Sequence, residues 1–112
     1  HIEPVIDKAI LWLGSSRSEV QAFPRDARRL AGFQLRLVQH GLEPLDWKPM
    51  STIGPGVREI RIHTMVEHRV CYVAKFREAI YVLHAFEKRT RKTSQHDVAL
   101  ARQRYQALVA QR

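Results

Sequence analysis

The hydrophobic positions of the chain predict four β-strands and a short additional one. The segments that carry them are residues 9–14, 47–50, 57–64, 68–76 and 79–88, of which 47–50 is the short strand. In the segment 57–64, Ile60 and Ile62 fall on one face, because side chains alternate along a strand. Glu59 and Arg61 therefore point to the other face. The last two segments are apolar on both faces, which is typical of central, covered strands.

Two helices are predicted between the first strand and the short one. Ser16 followed by Glu19 has the spacing of a capping box and predicts the start of the first helix. Pro24 interrupts that helix and suits the first turn of a second one. The second helix should run to about His40 and end before Gly41, since glycine often follows a helix end. The apolar residues that recur at helical spacing in it are Ala27, Leu30, Ala31, Leu35 and Val38.

A third helix is predicted over the final segment, residues 94–112. Ser94 and Asp97 form a second capping box at its start. Its apolar stripe consists of Val98, Ala101, Tyr105 and Leu108.

The resulting order is β-α-α-β-β-β-β-α within a single domain, residues 1–112. Because the helices cluster in sequence instead of alternating with strands, the order favours an α+β fold. The links between the later strands are short, so we expect hairpins and a mostly antiparallel sheet of four to five strands.

Composition narrows the class of protein. The 112 residues are 45% hydrophobic, as in a folded domain, and include one cysteine, Cys71. A single cysteine excludes an internal disulfide and a cysteine-based metal cluster. No apolar run approaches the ~20 residues that a membrane span requires, and the first residues lack the pattern of a secretion signal. We therefore expect a cytoplasmic protein without a membrane partner.

The charge of the chain indicates a polyanionic partner. The formal net charge is +8, with 19 Lys and Arg against 11 Asp and Glu. Such a balance is typical of proteins that meet nucleic acid, an acidic protein or a membrane surface. The strand segment 79–88 runs directly into a dense group of cations, namely Lys88, Arg89, Arg91 and Lys92.

Common catalytic motifs are missing from the sequence. It contains no glycine-rich phosphate loop, no serine nucleophile motif and no pair of histidines at metal-ligand spacing on one element. His63 and His68 merely flank a hairpin turn, so we expect neither a metal nor another cofactor. The remaining cations, histidine and tyrosines suit chemistry on a phosphodiester, where Arg and Lys neutralise the phosphorane. RNA supplies its own nucleophile, the 2′-hydroxyl, so the protein needs a base, an acid and cations.

Four of these residues are expected to converge on one side of the sheet. Arg61 and Arg69 lie across a tight turn, and His84 and Lys88 share one face of the last strand by alternation.

Each has a structural alternative. Arg61 and Arg69 could pair with Glu59, Glu67 or Glu87, and His84 could be a hydrogen-bonded core histidine.

Three stretches carry a resemblance to a known family. They are WKPMSTIGPGVREIRI, RVCYVAKF and YVLHAFEKRTRKTS. The stretches resemble the phage-derived HigB-like branch of the RelE/ParE toxin superfamily, whose last strand habitually ends in an L-H-x-F-x-K-K-T-x-K-T pattern. Arg89 stands where a second lysine is usual. The early WLGSSRSEVQAFP is similar to the first strand and helix of the same branch, so the resemblance covers nearly the whole chain.

The resemblance implies a RelE-like microbial RNase toxin fold and the toxin of a type II toxin–antitoxin pair. Such toxins cut mRNA on the ribosome without a metal, and an antitoxin, often a helix-turn-helix protein, blocks them. The implied partners are therefore the cognate antitoxin, the ribosome and mRNA. ParE-like members share the fold but act on gyrase, and a basic nucleic-acid-binding protein without catalysis is the further alternative.

The resemblance also implies roles for individual residues. Arg61 and Arg69 match sheet arginines that contact the scissile phosphate, and His84 and Lys88 match polar positions of the final strand. Tyr72 and His84 are both candidates for the general base. The implied RNA contacts are Lys48, Arg58, Arg89, Arg91 and Lys92.

Overall fold

The computed structural model describes residues 7–112, which form three helices and five strands in the predicted order. The elements are β1 (Ala9–Trp12), α1 (Ser16–Gln21), α2 (Arg25–Gln39), β2 (Trp47–Pro49), β3 (Val57–His63), β4 (Glu67–Val73), β5 (Ala79–Glu87) and α3 (Gln95–Ala110). The predicted α+β class is confirmed. Within the part of the chain that the structure describes, no helix is long and apolar enough to cross a membrane.

The strands form one sheet in the order β1-β5-β4-β3-β2. The pairs β5–β4, β4–β3 and β3–β2 are antiparallel, whereas β1 joins the edge parallel to β5, with Ala9 opposite Ala79. The prediction of a mostly antiparallel sheet is therefore confirmed. Short hairpins join β3, β4 and β5, so residues close in sequence meet in the middle of the sheet.

The sheet has two covered faces, and they separate the hydrophobic residues into two clusters. On one face, which we call the α2 face, Ile60, Val70 and Val82 pack against α1 and α2. On the other, the α3 face, Cys71 and Leu83 pack with residues of α3. Burial of both faces explains why β4 and β5 are apolar at almost every position.

A β-bulge interrupts the pairing of β4 with β5. Cys71 lies opposite His84, but the next residue, Tyr72, lies opposite Val82, so Leu83 is an extra residue in β5. Strict alternation would place His84 on the same face as Val82. The bulge instead places His84 beside Leu83 on the α3 face, because an inserted residue shifts the alternation by one.

Two of the predicted helix ends are confirmed, and one is wrong. α2 ends before Gly41, which has φ +81°, and Ser94 caps α3 by accepting a hydrogen bond from the Asp97 amide at 3.1 Å. The predicted cap at Ser16 is wrong, since the N-cap residue of α1 is Ser15. The Ser16 hydroxyl is buried and donates to the Val82 carbonyl at 3.0 Å, so it fastens α1 to β5 instead.

The predicted apolar stripes are buried with two exceptions, Leu30 of α2 and Val98 of α3, which is partly buried. In α2, Ala27, Ala31, Leu35 and Val38 are buried, but Leu30 is 38% exposed. In α3, the buried residues are Ala101, Tyr105 and Leu108.

Candidate active site

Cationic side chains from four adjacent segments meet on the α3 face around a buried carboxylate. Glu59 lies opposite Lys48 of β2, and its neighbour on the same face of β3, Arg61, lies opposite Arg69 of β4. Lys88 follows β5, and its amide donates to the Glu67 carbonyl at 2.8 Å, which extends the β4–β5 pairing. We call these five residues, Lys48, Glu59, Arg61, Arg69 and Lys88, the cation cluster.

Glu59 is the centre of this cluster and is fully buried. Its Oε2 accepts a hydrogen bond from Thr93 Oγ1 at 2.9 Å. Its Oε1 lies 3.5 Å from Arg69 Nε and 3.8 Å from Lys48 Nζ. These distances allow ion pairing, but they exceed those of short charge-assisted hydrogen bonds. The carboxylate therefore attracts the cations without occupying their donors.

Several buried polar atoms of the cluster have no hydrogen-bond partner within residues 7–112. They are Glu59 Oε1, Arg61 Nε and Arg69 Nε. Buried polar groups are nearly always hydrogen-bonded, so an unpartnered donor often marks a place where another molecule binds. Two guanidinium groups with free N–H donors on one face suit an oxyanion, such as a phosphate oxygen.

The two arginines also contact carboxylates at the edge of the cluster. Arg69 Nη1 donates to Glu67 Oε1 at 3.0 Å, and Arg61 Nη1 lies 3.9 Å from Asp46 Oδ1. The predicted pairing of arginines with strand carboxylates is thus present for Arg69, whereas the partner of Arg61 comes from the loop before β2. His63 joins the two acids through both ring nitrogens. Hydrogen bonds to Asp46 and then to Glu67 raise the pKa of His63.

Lys88 is the lysine of the cluster with a perturbed pKa. Burial, followed by the nearby positive charge of Arg69, lowers the pKa of its ammonium group. The negative charge of Glu59 acts in the opposite direction and raises it. A lysine with a lowered pKa loses its proton more readily than an ordinary surface lysine.

His84 lies on the same face but belongs to a separate set of contacts. Its Nδ1 is 2.9 Å from Glu19 Oε1, and its Nε2 is 2.7 Å from Asp97 Oδ1. Both ring nitrogens therefore lie within hydrogen-bond range of a carboxylate oxygen. The side chain is 6% exposed, so the ring links β5 to α1 and α3 inside the protein.

Arg104 of α3 completes what we call the His84 network, which consists of Glu19, His84, Asp97 and Arg104. Its guanidinium donates to both oxygens of Glu19, at 3.0 and 3.1 Å. Burial alone would raise the pKa of Glu19, but hydrogen bonds from Arg104, the Ala85 amide and His84 lower it to about 2. Glu19 is therefore ionised at neutral pH and balances the cations beside it.

Two residues predicted for the site lie on the opposite side of the sheet. Tyr72 and Arg58 are paired across β3 and β4, and Tyr72 packs in the hydrophobic cluster of the α2 face. The alternation of β3 explains this placement, because Arg58 is one residue away from Glu59 and so points the other way. The structure brings together Arg61, Arg69 and Lys88 on the α3 face, with His84 buried beside them.

The remaining predicted cations lie in the exposed link between β5 and α3. Arg89 is 80% exposed and pairs with Glu87 at 2.9 Å. Arg91 and Lys92 line an open cavity of about 390 Å³, together with Lys48 and Thr93. This cavity borders the cation cluster, since Lys48 belongs to both.

Sequence reasoning missed the central role of Glu59 and the partners of His84. Glu59 could have been found, because alternation places it with Arg61 on a covered strand face, where a charge needs a partner. In the described range, residues 7–112, no group of three or more His, Cys, Asp or Glu side chains is arranged so that it could hold a metal ion.

Comparison with known proteins gives one family. The family model described as "Phage derived protein Gp49-like (DUF891)" matches residues 18–106. These residues include every member of the cation cluster and of the His84 network. No curated protein matches the chain.

Proposed function

Because the chain belongs to the phage-derived Gp49-like family, a family of RelE-like toxins, we propose that it is the toxin of a type II toxin–antitoxin pair and an endoribonuclease that cleaves mRNA on the ribosome. We assign it to the HigB-like branch on the resemblance of its last strand and basic tail. The observation that carries the proposal is the cation cluster, in which unpartnered arginine donors surround a buried carboxylate.

The arginines and Lys48 hold the scissile phosphate in this proposal. Arg61 offers a buried Nε without a partner, and its only ion pair within residues 7–112 is the 3.9 Å contact with Asp46. Arg69 is held by Glu67 and Glu59 and so presents a fixed charge. Fixed donors stabilise the developing charge of a phosphorane without reorganisation in the transition state.

The reaction uses the 2′-hydroxyl of the RNA as nucleophile. The 2′-oxygen forms a bond to phosphorus and loses its proton to a base, while the bond to the 5′-oxygen breaks and that oxygen takes up a proton. The products are a 2′,3′-cyclic phosphate and a 5′-hydroxyl. We assign one of these proton transfers to Lys88, whose pKa is lowered by burial and by Arg69.

Neither earlier candidate for the base suits this role. Both nitrogens of His84 are bound to carboxylates inside the protein, and Tyr72 lies on the α2 face. We propose that His84 fixes the position of α3, and with it the basic link that precedes the helix.

The exposed cations of that link contact the RNA backbone in this proposal. Arg89, Arg91 and Lys92 continue the positive surface from Lys88, and two of them line the cavity beside Lys48. The same surface would be covered by an acidic segment of the antitoxin. We propose that the protein acts in the cytoplasm, where translating ribosomes are found.

The test is cleavage of a defined mRNA on purified translating ribosomes, with RNA ends mapped by primer extension. We expect Lys88→Ala to reduce the cleavage rate about 100-fold, because proton transfer typically contributes at least this much. The matched control is Arg29→Ala, which removes an exposed cation of α2 outside the cation cluster and the basic link, and we expect less than about a threefold change.

Two outcomes would contradict the proposal. Intact mRNA together with DNA breaks in treated cells would indicate action on gyrase. Binding of RNA without cleavage by the wild-type protein would indicate a nucleic-acid-binding module.

A further inference from the structure

A second cavity lies on the α2 face, away from the cation cluster. Its volume is about 370 Å³, within the range of small-ligand sites. Its lining combines apolar side chains, among them Val38, Leu42 and Ala74, with the polar groups of Arg58 and Tyr72. The proposed RNA reaction uses none of these residues.

The hydroxyl group of Tyr72 is the first sign of a ligand. The residue is 1% exposed, and its Oη has no hydrogen-bond partner within residues 7–112. Burial raises the pKa of Tyr72, against the opposing effect of Arg58, so the phenol keeps its proton. A buried O–H without an acceptor is costly, and a bound oxygen atom would satisfy it.

Arg58 provides a second set of donors at the same cavity. Its guanidinium is held over the Trp47 ring, 3.9 Å from the ring centroid. Its Nη1 lies 3.7 Å from Glu43 Oε1, beyond hydrogen-bond range, and the guanidinium is close enough to the Tyr72 hydroxyl to lower the pKa of that residue. The planar group is thus fixed by stacking while its N–H groups remain available.

Three cations and one carboxylate line the cavity, and two of the cations already have hydrogen-bond partners. Of the two lysines, Lys8 Nζ donates to the Ala74 carbonyl at 2.7 Å. Lys75 Nζ donates to the Tyr105 hydroxyl, which belongs to the hydrophobic cluster of the α3 face. Arg58 is therefore the available cation, and Glu43 beside it disfavours a doubly charged anion such as phosphate.

We propose that this cavity binds a carboxylate carried on an apolar stem. Arg58 and the Tyr72 hydroxyl would donate to the two carboxylate oxygens, and Val38, Leu42 and Ala74 would contact the stem. Two sources supply this chemistry: a free organic acid, or a Glu or Asp side chain flanked by apolar residues in a partner peptide.

The experiment is an NMR titration of the ¹⁵N-labelled full chain with butyrate, followed at the Tyr72 amide and the Arg58 side-chain Nε–H. We expect saturable shifts at both signals. Tyr72→Phe and Arg58→Gln should each weaken binding about tenfold or more, because each removes a donor to a charged oxygen. Tyr81→Phe is the matched control, since it removes a tyrosine hydroxyl from the α3 face, and it should leave the affinity unchanged.

Further titrations identify the source and can overturn the proposal. Tighter binding of acetyl-Leu-Glu-Leu-amide than of butyrate assigns the site to a partner's acidic side chain, and similar binding assigns it to a free acid. Three results contradict the proposal: no saturable shift with either probe, equal binding of acetyl-Leu-Gln-Leu-amide, or tighter binding of inorganic phosphate than of butyrate. Because Arg58→Gln should not alter mRNA cleavage, this test is independent of the proposed nuclease activity.

Discussion

The α3 face carries two charged networks side by side, and they are built in opposite ways. In the His84 network, the charged atoms are 2.7 to 3.1 Å apart, and each ring nitrogen of His84 meets a carboxylate oxygen. In the cation cluster, Glu59 is 3.5 and 3.8 Å from its cations, and Arg61 Nε and Arg69 Nε have no hydrogen-bond partner among the described residues.

This difference separates a structural role from a functional one. A fully satisfied buried network holds secondary-structure elements in place, but it has no donor left for a substrate. An incompletely satisfied cluster stabilises the fold less, and its free donors can bind an incoming oxyanion. We therefore propose that His84 supports the site, and that Lys88, Arg61 and Arg69 belong to the site itself.

The largest effect we expect is a loss of folding stability when the His84 network is broken. His84→Leu removes both charged hydrogen bonds and leaves Glu19 and Asp97 without one of their partners. Breaking a buried ion pair from one side costs about 3–5 kcal/mol, so we expect a loss of this size in the free energy of unfolding. Urea denaturation followed by circular dichroism measures it.

His68→Leu is the matched control for this substitution. His68 is equally buried on the neighbouring strand β4, but its Nδ1 has no partner within residues 7–112, and its ring packs 4.4 Å from that of Phe23. We expect a cost below about 1 kcal/mol, because no satisfied hydrogen bond at Nδ1 is lost. Equal losses of unfolding free energy in His84→Leu and His68→Leu would show that the His84 network stabilises the fold no more than any buried histidine does.

The second effect is the pH dependence that Glu19 gives to stability. Its pKa is about 2 in the folded protein, against an ordinary value of 4.5. A lowered pKa stabilises the folded state above the ordinary value, and this contribution is lost as pH falls from about 4.5 toward 2. Its size is about 3 kcal/mol when each pKa unit is worth about 1.4 kcal/mol.

Wild type and Glu19→Gln should therefore differ most in unfolding free energy at pH 6, and the difference should shrink as pH falls below 4.5. Urea unfolding at several pH values measures it. Glu67→Gln is the control, since Glu67 is a partly exposed partner of His63 and Arg69 outside the His84 network. If the difference in unfolding free energy between wild type and Glu19→Gln stays constant between pH 3 and 6, the His84 network does not lower the pKa of Glu19.

Local periodicity was sufficient to predict most of the fold. Alternation in β3 and helical spacing in α2 involve residues that are close in sequence, so both can be recognised from the sequence alone. The bulge at Leu83 and the hydrogen bond from Ser16 to Val82 depend on pairing between distant segments. These features decide which face His84 occupies and where α1 begins, and no local pattern encodes them.

The candidate site was predictable only in part, for the same reason. Alternation correctly grouped Arg61 with Glu59 and away from Ile60, but family resemblance added Tyr72 and Arg58, which the sheet register places on the other face. The partners of His84 are Glu19 and Asp97, 65 and 13 residues away in sequence. Such contacts arise when α1 and α3 pack on the sheet, so they follow from the tertiary fold.

The smallest effect we expect is a change in cleavage rate when Glu59→Gln neutralises the carboxylate at the centre of the cation cluster. The substitution keeps the shape of the side chain but removes the charge that attracts Lys48 and Arg69. We expect mRNA cleavage to slow about tenfold, because displaced cations hold the phosphate less well. The pKa of Lys88, lowered by burial and Arg69, should fall further, since Glu59 currently raises it. The inflection in the pH–rate profile that belongs to Lys88 should therefore move to lower pH.

The control is again Glu67→Gln, which neutralises the other carboxylate bound to Arg69 at the edge of the cluster. We expect less than about a threefold change in rate, because this ion pair is partly exposed, and no shift of the inflection. A loss of cleavage in Glu59→Gln as large as in Lys88→Ala, with the inflection unmoved, would make Glu59 itself the proton-transfer group. In that case the carboxylate of Glu59 would have to contact the substrate. Glu59 would then be the general base, and its role would not be limited to holding the cations that bind the phosphate.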